Sequence, residues 1–234
     1  MASDENPNGN QVLSDGPRLT GSAESLTARP RIALLAAVLA SIWLAMLVGG
    51  TGLLDQRVYE ALYVGRDPAL VSAARFVTFF GEPTVLIFAG VVFAVVMWRR
   101  GHLRTGLTLV AVTMIGRAIS ELQKYEVHRV RPALEPHMVL VKSQSFPSGH
   151  SASSMIFYLT LALVLTHRSR WRPLAAAAAI LMSVMIGTSR VMLGVHWPSD
   201  VIGGWTFGLL WVLLTLRLAE HLFNADSRRA AHAL

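Results

Sequence analysis

Three short segments concentrate the residues able to do chemistry. The first runs from Lys124 to Arg131-Pro132, the second is Pro147-Ser148-Gly149-His150, and the third is Ser189-Arg190 followed by His196 and Asp200. Lys124, Arg131 and Arg190 are three cations expected at one level of the structure. Arg190 lies in an otherwise apolar stretch, where an unpaired charge is costly. No matching cluster of acids accompanies these cations, so the expected counter-charge is an anionic ligand. The planar fork of Arg suits phosphate oxygens, and Lys adds a point charge. Ser148 and Gly149 open a helix, whose free N–H groups and positive dipole end favour an anion. Their small side chains let a phosphate approach the backbone.

Two histidines complete the set. His196 and Asp200 are four apart, across Trp197-Pro198. A carboxylate on one imidazole nitrogen fixes the tautomer and leaves the other nitrogen free to attack. It would also raise the imidazole pKa, so the expected gain is orientation rather than nucleophile strength. His150, at the start of the phosphate-binding helix, is placed to protonate a leaving oxygen. A metal site on His196 and Asp200 is disfavoured by the cations around it. His102, His167, His221 and His232 read as polar residues at headgroup level, and His128 and His137 as solvated loop residues.

The elements that must position these residues are helices in a membrane. The chain has 234 residues, 53% of them hydrophobic and only 15% charged. A soluble domain carries about a quarter charged residues. Cysteine is absent, which removes disulfides, thiol nucleophiles and Cys-zinc sites. The net charge of +7 comes from 21 basic residues spread over short loops with no basic tract, so nucleic acid is not the expected partner. Residues 1–30 read as a disordered polar tail, too long before the first apolar run for a signal peptide. Apolar runs at Ile32–Leu54, Pro83–Trp98, Leu103–Gln123, His150–Thr166, Pro173–Val195 and Asp200–Phe223 give six candidate spans, against the roughly 20 residues that a bilayer needs. The expected architecture is all-α: a membrane domain over 31–224 and a short tail over 225–234. Between the first two spans, Val58, Leu62, Leu70, Ala73, Ala74 and Val77 recur at helical spacing, with a break at Arg66-Asp67-Pro68. They predict two short amphipathic helices in the interface, as a lid or as a lipid gate.

Loop charges orient the bundle. Arg99, Arg100 and Arg104 fall in one linker, and Arg168, Arg170 and Arg172 in another. Both tails are basic too. Six spans put all four segments on one side, the cytoplasm by the positive-inside rule. The three chemical segments then share the outer face. On the third span, Arg117 and Glu121 lie on the face of Lys124, as an ion pair for helix packing or as one that positions the lysine.

The segments Lys-x6-Arg-Pro, Pro-Ser-Gly-His and Ser-Arg-x5-His-x3-Asp match the signature of the type 2 phosphatidic acid phosphatase family. The chain resembles that family over about residues 32–223, with no departure at the eleven motif positions. The resemblance implies that His196 is a nucleophile forming a phosphohistidine, that Asp200 orients it, and that His150 is the general acid. It implies phosphoryl contacts from Lys124, Arg131, Ser148, Gly149 and Arg190, backbone-shaping roles for Pro132 and Pro147, no metal or other cofactor, and a site at the outer face of a bacterial-type inner membrane. The expected substrate is a membrane lipid phosphate or pyrophosphate. Undecaprenyl pyrophosphate and a glycerophospholipid phosphate fit equally, and phosphatidic acid and lipid A also fit. A lipid phosphotransferase on the same site and an anionic-lipid transporter are the alternatives. The oligomeric state is left open.

Overall fold

The computed structural model describes residues 21–167 and 169–232. The first twenty residues of the expected tail, Arg168 and the last two residues lie outside this range. The described residues form eight helices and no strand: α1 (Gly21–Gly49), α2 (Leu53–Leu62), α3 (Pro68–Phe79), α4 (Pro83–Arg99), α5 (Leu103–Val127), α6 (Gly149–Leu165), α7 (Arg172–Met192) and α8 (Pro198–His232). Helix α1 begins eleven residues before the expected Ile32 and carries Pro30 inside it. Helix α8 runs past the expected end at Phe223. The described residues divide into two units, with the boundary between residues 35 and 36. The second holds every chemical segment.

Among the described residues, five stretches are long and apolar enough to cross a membrane: Pro30–Gly49, Pro68–Arg99, Leu103–Val127, Arg172–Met192 and Pro198–Leu218. The second joins α3 and α4 across a break at Phe80–Glu82. Helix α6 is apolar but only 17 residues long. Large apolar side chains face outward along these stretches, among them Phe88, Val91, Leu181 and Leu214. Such a surface is unfavourable in water and suits hydrocarbon.

Both expected short helices are present, and local chemistry sets their ends. Asp67 caps α3 by accepting the N–H groups of Ala69 and Leu70, and Pro68 occupies the first turn. Of the six apolar positions that predicted the two helices, Ala74 is buried. Asp55 and Tyr59 are buried on α2, and Val71, Ala74 and Thr78 on α3. Val58 and Leu70 are exposed. The polar Asp55 is buried because the Thr51 and Ser199 N–H groups satisfy its carboxylate.

Helix α6 is the centre of the bundle and meets α4, α5, α7 and α8. From Ser151 to Phe157 every residue is buried. Its Ser-Ala-Ser-Ser run lets neighbours approach closely, as small residues do between membrane helices. Gly204 and Gly208, spaced as in a GxxxG motif, form the facing seam of α8. A Cβ on Gly204 would lie 2.7 Å from the Ser148 carbonyl oxygen and 2.8 Å from Ser151 Cβ, and one on Gly208 would lie 2.8 Å from Met155 Cβ. The Ser148 N–H donates to the Asp200 carbonyl at 2.9 Å across the same seam. This contact holds the start of α6 against the start of α8. Gly204→Ala should therefore lower the thermal stability of the detergent-solubilised protein. Overpacking costs on the order of 1–3 kcal/mol, and a melting temperature equal to wild type would show that the seam is slack.

Candidate active site

The chain reaches the site by pinned turns. His128 ends α5 in the left-handed region, at φ 51°, with its N–H on the Lys124 carbonyl. The loop that follows is tied down: the Ser145 N–H donates to the Arg129 carbonyl, and the Met138 N–H to the Leu193 carbonyl. Ser148 caps α6, accepting the Ser151 N–H. Pro198 opens α8, and Asp200 reaches back to accept the Trp197 N–H at 2.9 Å, the carboxylate half of a capping box.

These turns enclose a cavity of about 340 Å³. Lys124, Arg131, Gly149, His150, Arg190 and His196 line it, so six of the eight site residues named from the sequence meet there. Ser148 and Asp200 are fully buried behind the lining. Gly149 leaves room at the cavity: a Cβ there would lie 3.2 Å from Lys124 Nζ and 3.3 Å from Glu121 Oε1. Arg190 is held by the Thr78 hydroxyl at 2.9 Å, and its Nε has no partner.

The two nitrogens of His196 have different surroundings. Nδ1 lies 3.4 Å from Asp200 Oδ2, and Nε2 lies 3.1 Å from Arg131 Nη1. Nδ1 therefore carries the proton toward the carboxylate, and Nε2 accepts from the guanidinium at the cavity side. Burial holds this imidazole well below its usual pKa, and the charges of Arg131, Arg190, Lys124 and His150 push it the same way. Burial and these cations thus outweigh the rise expected from Asp200. The carboxylate is already engaged: Arg129 donates to Oδ1 at 2.9 Å, and Ser145 and the Trp197 N–H donate to Oδ2.

The expected lack of acids also needs correction. Glu82 and Glu121 line the cavity with five cations, Arg117, Lys124, Arg131, Lys142 and Arg190. The cations still exceed the carboxylates by three. Glu82 Oε1 sits 3.2 Å from His150 Nε2. Glu121 is shared between Lys124 at 3.3 Å and Arg117 at 3.7 Å. Arg117 and Glu121 are partly exposed at the cavity, which places them beside the lysine rather than in a buried packing pair.

Sequence reasoning missed Glu82, Arg129 and Ser145. Arg129 had a signal, being a third cation within the first motif. Glu82 and Ser145 had none, because the helix break and the loop that carry them are legible only in three dimensions.

Residues 105–223 match the model of the PAP2 superfamily. Phosphatidylglycerophosphatase B of Bacillus subtilis is 31% identical over 172 residues, covering 72% of this chain and 84% of that protein. The undecaprenyl-diphosphatase of Sulfolobus acidocaldarius is 34% identical over 113 residues, 45% of this chain and 50% of its own length. The crystal structure of a transmembrane PAP2-type phosphatidylglycerolphosphate phosphatase from Bacillus subtilis superimposes with a TM-score of 0.72 at 29% identity, covering 80% of this chain and 96% of that one. The chain belongs to the PAP2 superfamily. It is a multi-pass membrane protein with the all-helical fold of that structure.

An ordinary imidazole is half protonated near pH ~6.5. In ¹⁵N spectra of histidine-labelled protein, the ring whose signal vanishes in His196→Ala should stay neutral through that pH. The same ring should titrate at higher pH in Arg131→Gln. A His196 signal with an ordinary midpoint in the wild type would contradict the burial and charge argument.

Proposed function

We propose that the protein hydrolyses a lipid phosphate monoester or lipid pyrophosphate through a phosphohistidine at His196, releasing inorganic phosphate. As a PAP2 enzyme it is a phosphoric monoester or pyrophosphate hydrolase. The observation that carries the mechanism is the orientation of His196, with Nδ1 on a buried carboxylate and Nε2 at a cation-lined cavity.

In the first step His196 Nε2 attacks phosphorus, the bond from phosphorus to the lipid oxygen breaks, and His150 gives its proton to that oxygen. With a pyrophosphate the departing group is the lipid monophosphate. In the second step His150 takes a proton from water, the water oxygen attacks phosphorus, and the P–N bond breaks. Glu82 supplies the counter-charge for a protonated His150. Lys124, Arg131, Arg190 and the N–H of Gly149 hold the phosphoryl oxygens. Ser148 lies behind the lining and acts on the phosphoryl group by shaping the helix start. The three cations and the helix start supply the charge neutralisation that a metal gives elsewhere. Phosphate release should therefore persist in excess chelator, and orthovanadate should inhibit as a transition-state mimic. The assay is phosphate release over a panel holding undecaprenyl pyrophosphate, phosphatidylglycerophosphate and phosphatidic acid, without an added acceptor. Activity lost in chelator and restored by Mg²⁺ would overturn the metal-free mechanism. Release only with an acceptor present would point to a phosphotransferase.

The two histidines are separable. His196→Ala should abolish turnover and leave no phosphoenzyme. His150→Ala should lose on the order of 10²–10⁴ in rate with an alkyl phosphate, where the leaving oxygen needs a proton. It should lose less phosphoenzyme formation with p-nitrophenyl phosphate, whose leaving group does not. Equal losses on both substrates would show the roles wrongly assigned.

We place the enzyme in the inner membrane with six spans, α1, α4, α5, α6, α7 and α8, both termini in the cytoplasm and the cavity at the outer face. Helices α2 and α3 then lie in the outer interface. The domain boundaries are a tail over 1–30, the membrane domain over 31–224 and a tail over 225–234. A cysteine placed at exposed Ser169 in this cysteine-free chain should resist an impermeant thiol reagent in intact cells, and one at exposed Ser143 should react. The reverse pattern would invert the topology.

A further inference from the structure

Arg129 is nearly buried, with 8% of its side chain exposed, yet it is absent from the cavity lining. All of its polar contacts turn the other way. Nη1 donates to Asp200 Oδ1 at 2.9 Å and to Ser199 Oγ at 3.0 Å. Nη2 donates to the carbonyls of Met46 and Leu47, at 2.9 and 2.7 Å, in the last turn of α1. Its guanidinium carbon lies 4.4 Å from the centre of the Phe146 ring. Gly50 makes room for it, since a Cβ there would lie 2.5 Å from Arg129 Nη1. Ser199, its second partner, is fixed in turn by Asp55 of α2 through both N–H and hydroxyl.

We propose that Arg129 is a positioning residue for the nucleophilic histidine: it keeps the buried Asp200 ionised and oriented, so that His196 stays in the tautomer with its proton on Nδ1. This rests on the reading of His196 as nucleophile. A carboxylate with no exposed surface stays charged only when it is paired. Among the groups facing Asp200, Arg129 brings a direct cation. Ser145, the Trp197 N–H and His196 bring neutral donors, and Arg131 acts from a greater distance. With the guanidinium gone, Asp200 takes a proton more readily and can no longer hold the imidazole N–H. Arg129 also fastens the end of α1, and through Ser199 the start of α2, to this carboxylate. The placement of the nucleophile therefore depends on the two elements that border the bundle at this face. Asp55 serves the same end from the α2 side.

Arg129→Gln, Arg129→Lys and His196→Ala, each in the full chain, would be assayed with p-nitrophenyl phosphate across pH. With this substrate phosphoenzyme formation depends on the nucleophile and little on His150, so the burst of p-nitrophenol is read beside kcat. In Arg129→Gln, kcat should fall at least about tenfold, below the ceiling of roughly 10⁴ for a histidine held in the wrong tautomer. KM should change little, and the acid limb of the pH profile should move to higher pH. Arg129→Lys should return the acid limb toward wild type because the charge is back. Its kcat should stay intermediate, because an ammonium cannot span Asp200 and the α1 carbonyls together. A merely structural arginine would not move the acid limb. Wild-type kcat in Arg129→Gln, a loss confined to KM, or a kcat loss with an unmoved acid limb would each overturn the proposal. If Arg129→Gln does not fold, Arg129→Lys decides: lowered kcat at unchanged KM supports the role, and wild-type kcat or a loss in KM alone overturns it. Turnover surviving in His196→Ala would sink the histidine mechanism itself, whereas a dead His196→Ala beside a fully active Arg129→Gln would sink only the role of Arg129.

Discussion

A carboxylate with no exposed surface governs this architecture. Asp200 sits at the start of α8, between membrane-spanning elements, and burying it uncompensated would cost several kcal/mol. Its oxygens are met from three directions: by Arg129 and Ser145 of the long loop, by the Trp197 N–H of its own helix start, and by the His196 ring. Its backbone carbonyl takes the Ser148 N–H. The helix cap, the loop and the α6 start therefore converge on one residue. None of them can move without leaving a buried polar group unsatisfied.

That convergence explains why the centre of the bundle is built from small residues. His150 and His196 belong to different parts of the chain, and one cavity can hold both only if α6 and α8 nearly touch at their starts. Gly204 and Gly208 on one side and the Ser-Ala-Ser-Ser run on the other allow it. Bulkier residues would separate the helices and open the gap between the two histidines. The break between α3 and α4 follows the same rule. A Cβ on Gly81 would meet Ile186 Cγ2 at 2.4 Å and His150 Cδ2 at 3.1 Å, so glycine lets the break pass beside His150 and sets Glu82 against its ring.

Much of this was legible in the sequence, and what was not has a common cause. Apolar runs long enough for a bilayer report helices directly, and α4, α5, α6 and α7 lie within a few residues of their expected limits. The cations and histidines declared themselves because charge in an apolar chain is conspicuous. Six of the eight expected site residues line one cavity, with Ser148 and Asp200 behind it. Of the carboxylates, Glu121 was legible beside Lys124 and Arg117 on one helix face, whereas Glu82 sits in a helix break and only the fold turns it toward the cations. The burial of Asp55 on α2 had no signal in the hydropathy pattern. The residue is buried because α8 offers it hydrogen-bond donors.

The charge arrangement also bears on how an imidazole can serve as a nucleophile here. The cations that draw in an anion are the same ones that, with burial, keep His196 unprotonated, so a phosphate enters a site whose nucleophile is already neutral, its Nε2 lone pair released when Arg131 turns to the phosphoryl oxygens. In the proposed reaction that balance changes when the P–N bond forms. The ring then carries positive charge while Nδ1 keeps its proton and donates it to Asp200, and the carboxylate becomes the counter-charge for two cations, the ring and Arg129. An ion pair poised in this way stabilises the charged ring where it develops and needs no reorganisation of surrounding groups, which is the condition under which electrostatic stabilisation is most effective in a low-dielectric site. Asp200 without Arg129 would be a costly buried charge before the reaction. Arg129 without Asp200 would be one throughout. The pair is stable in the resting site and remains available to a ring that becomes charged beside it.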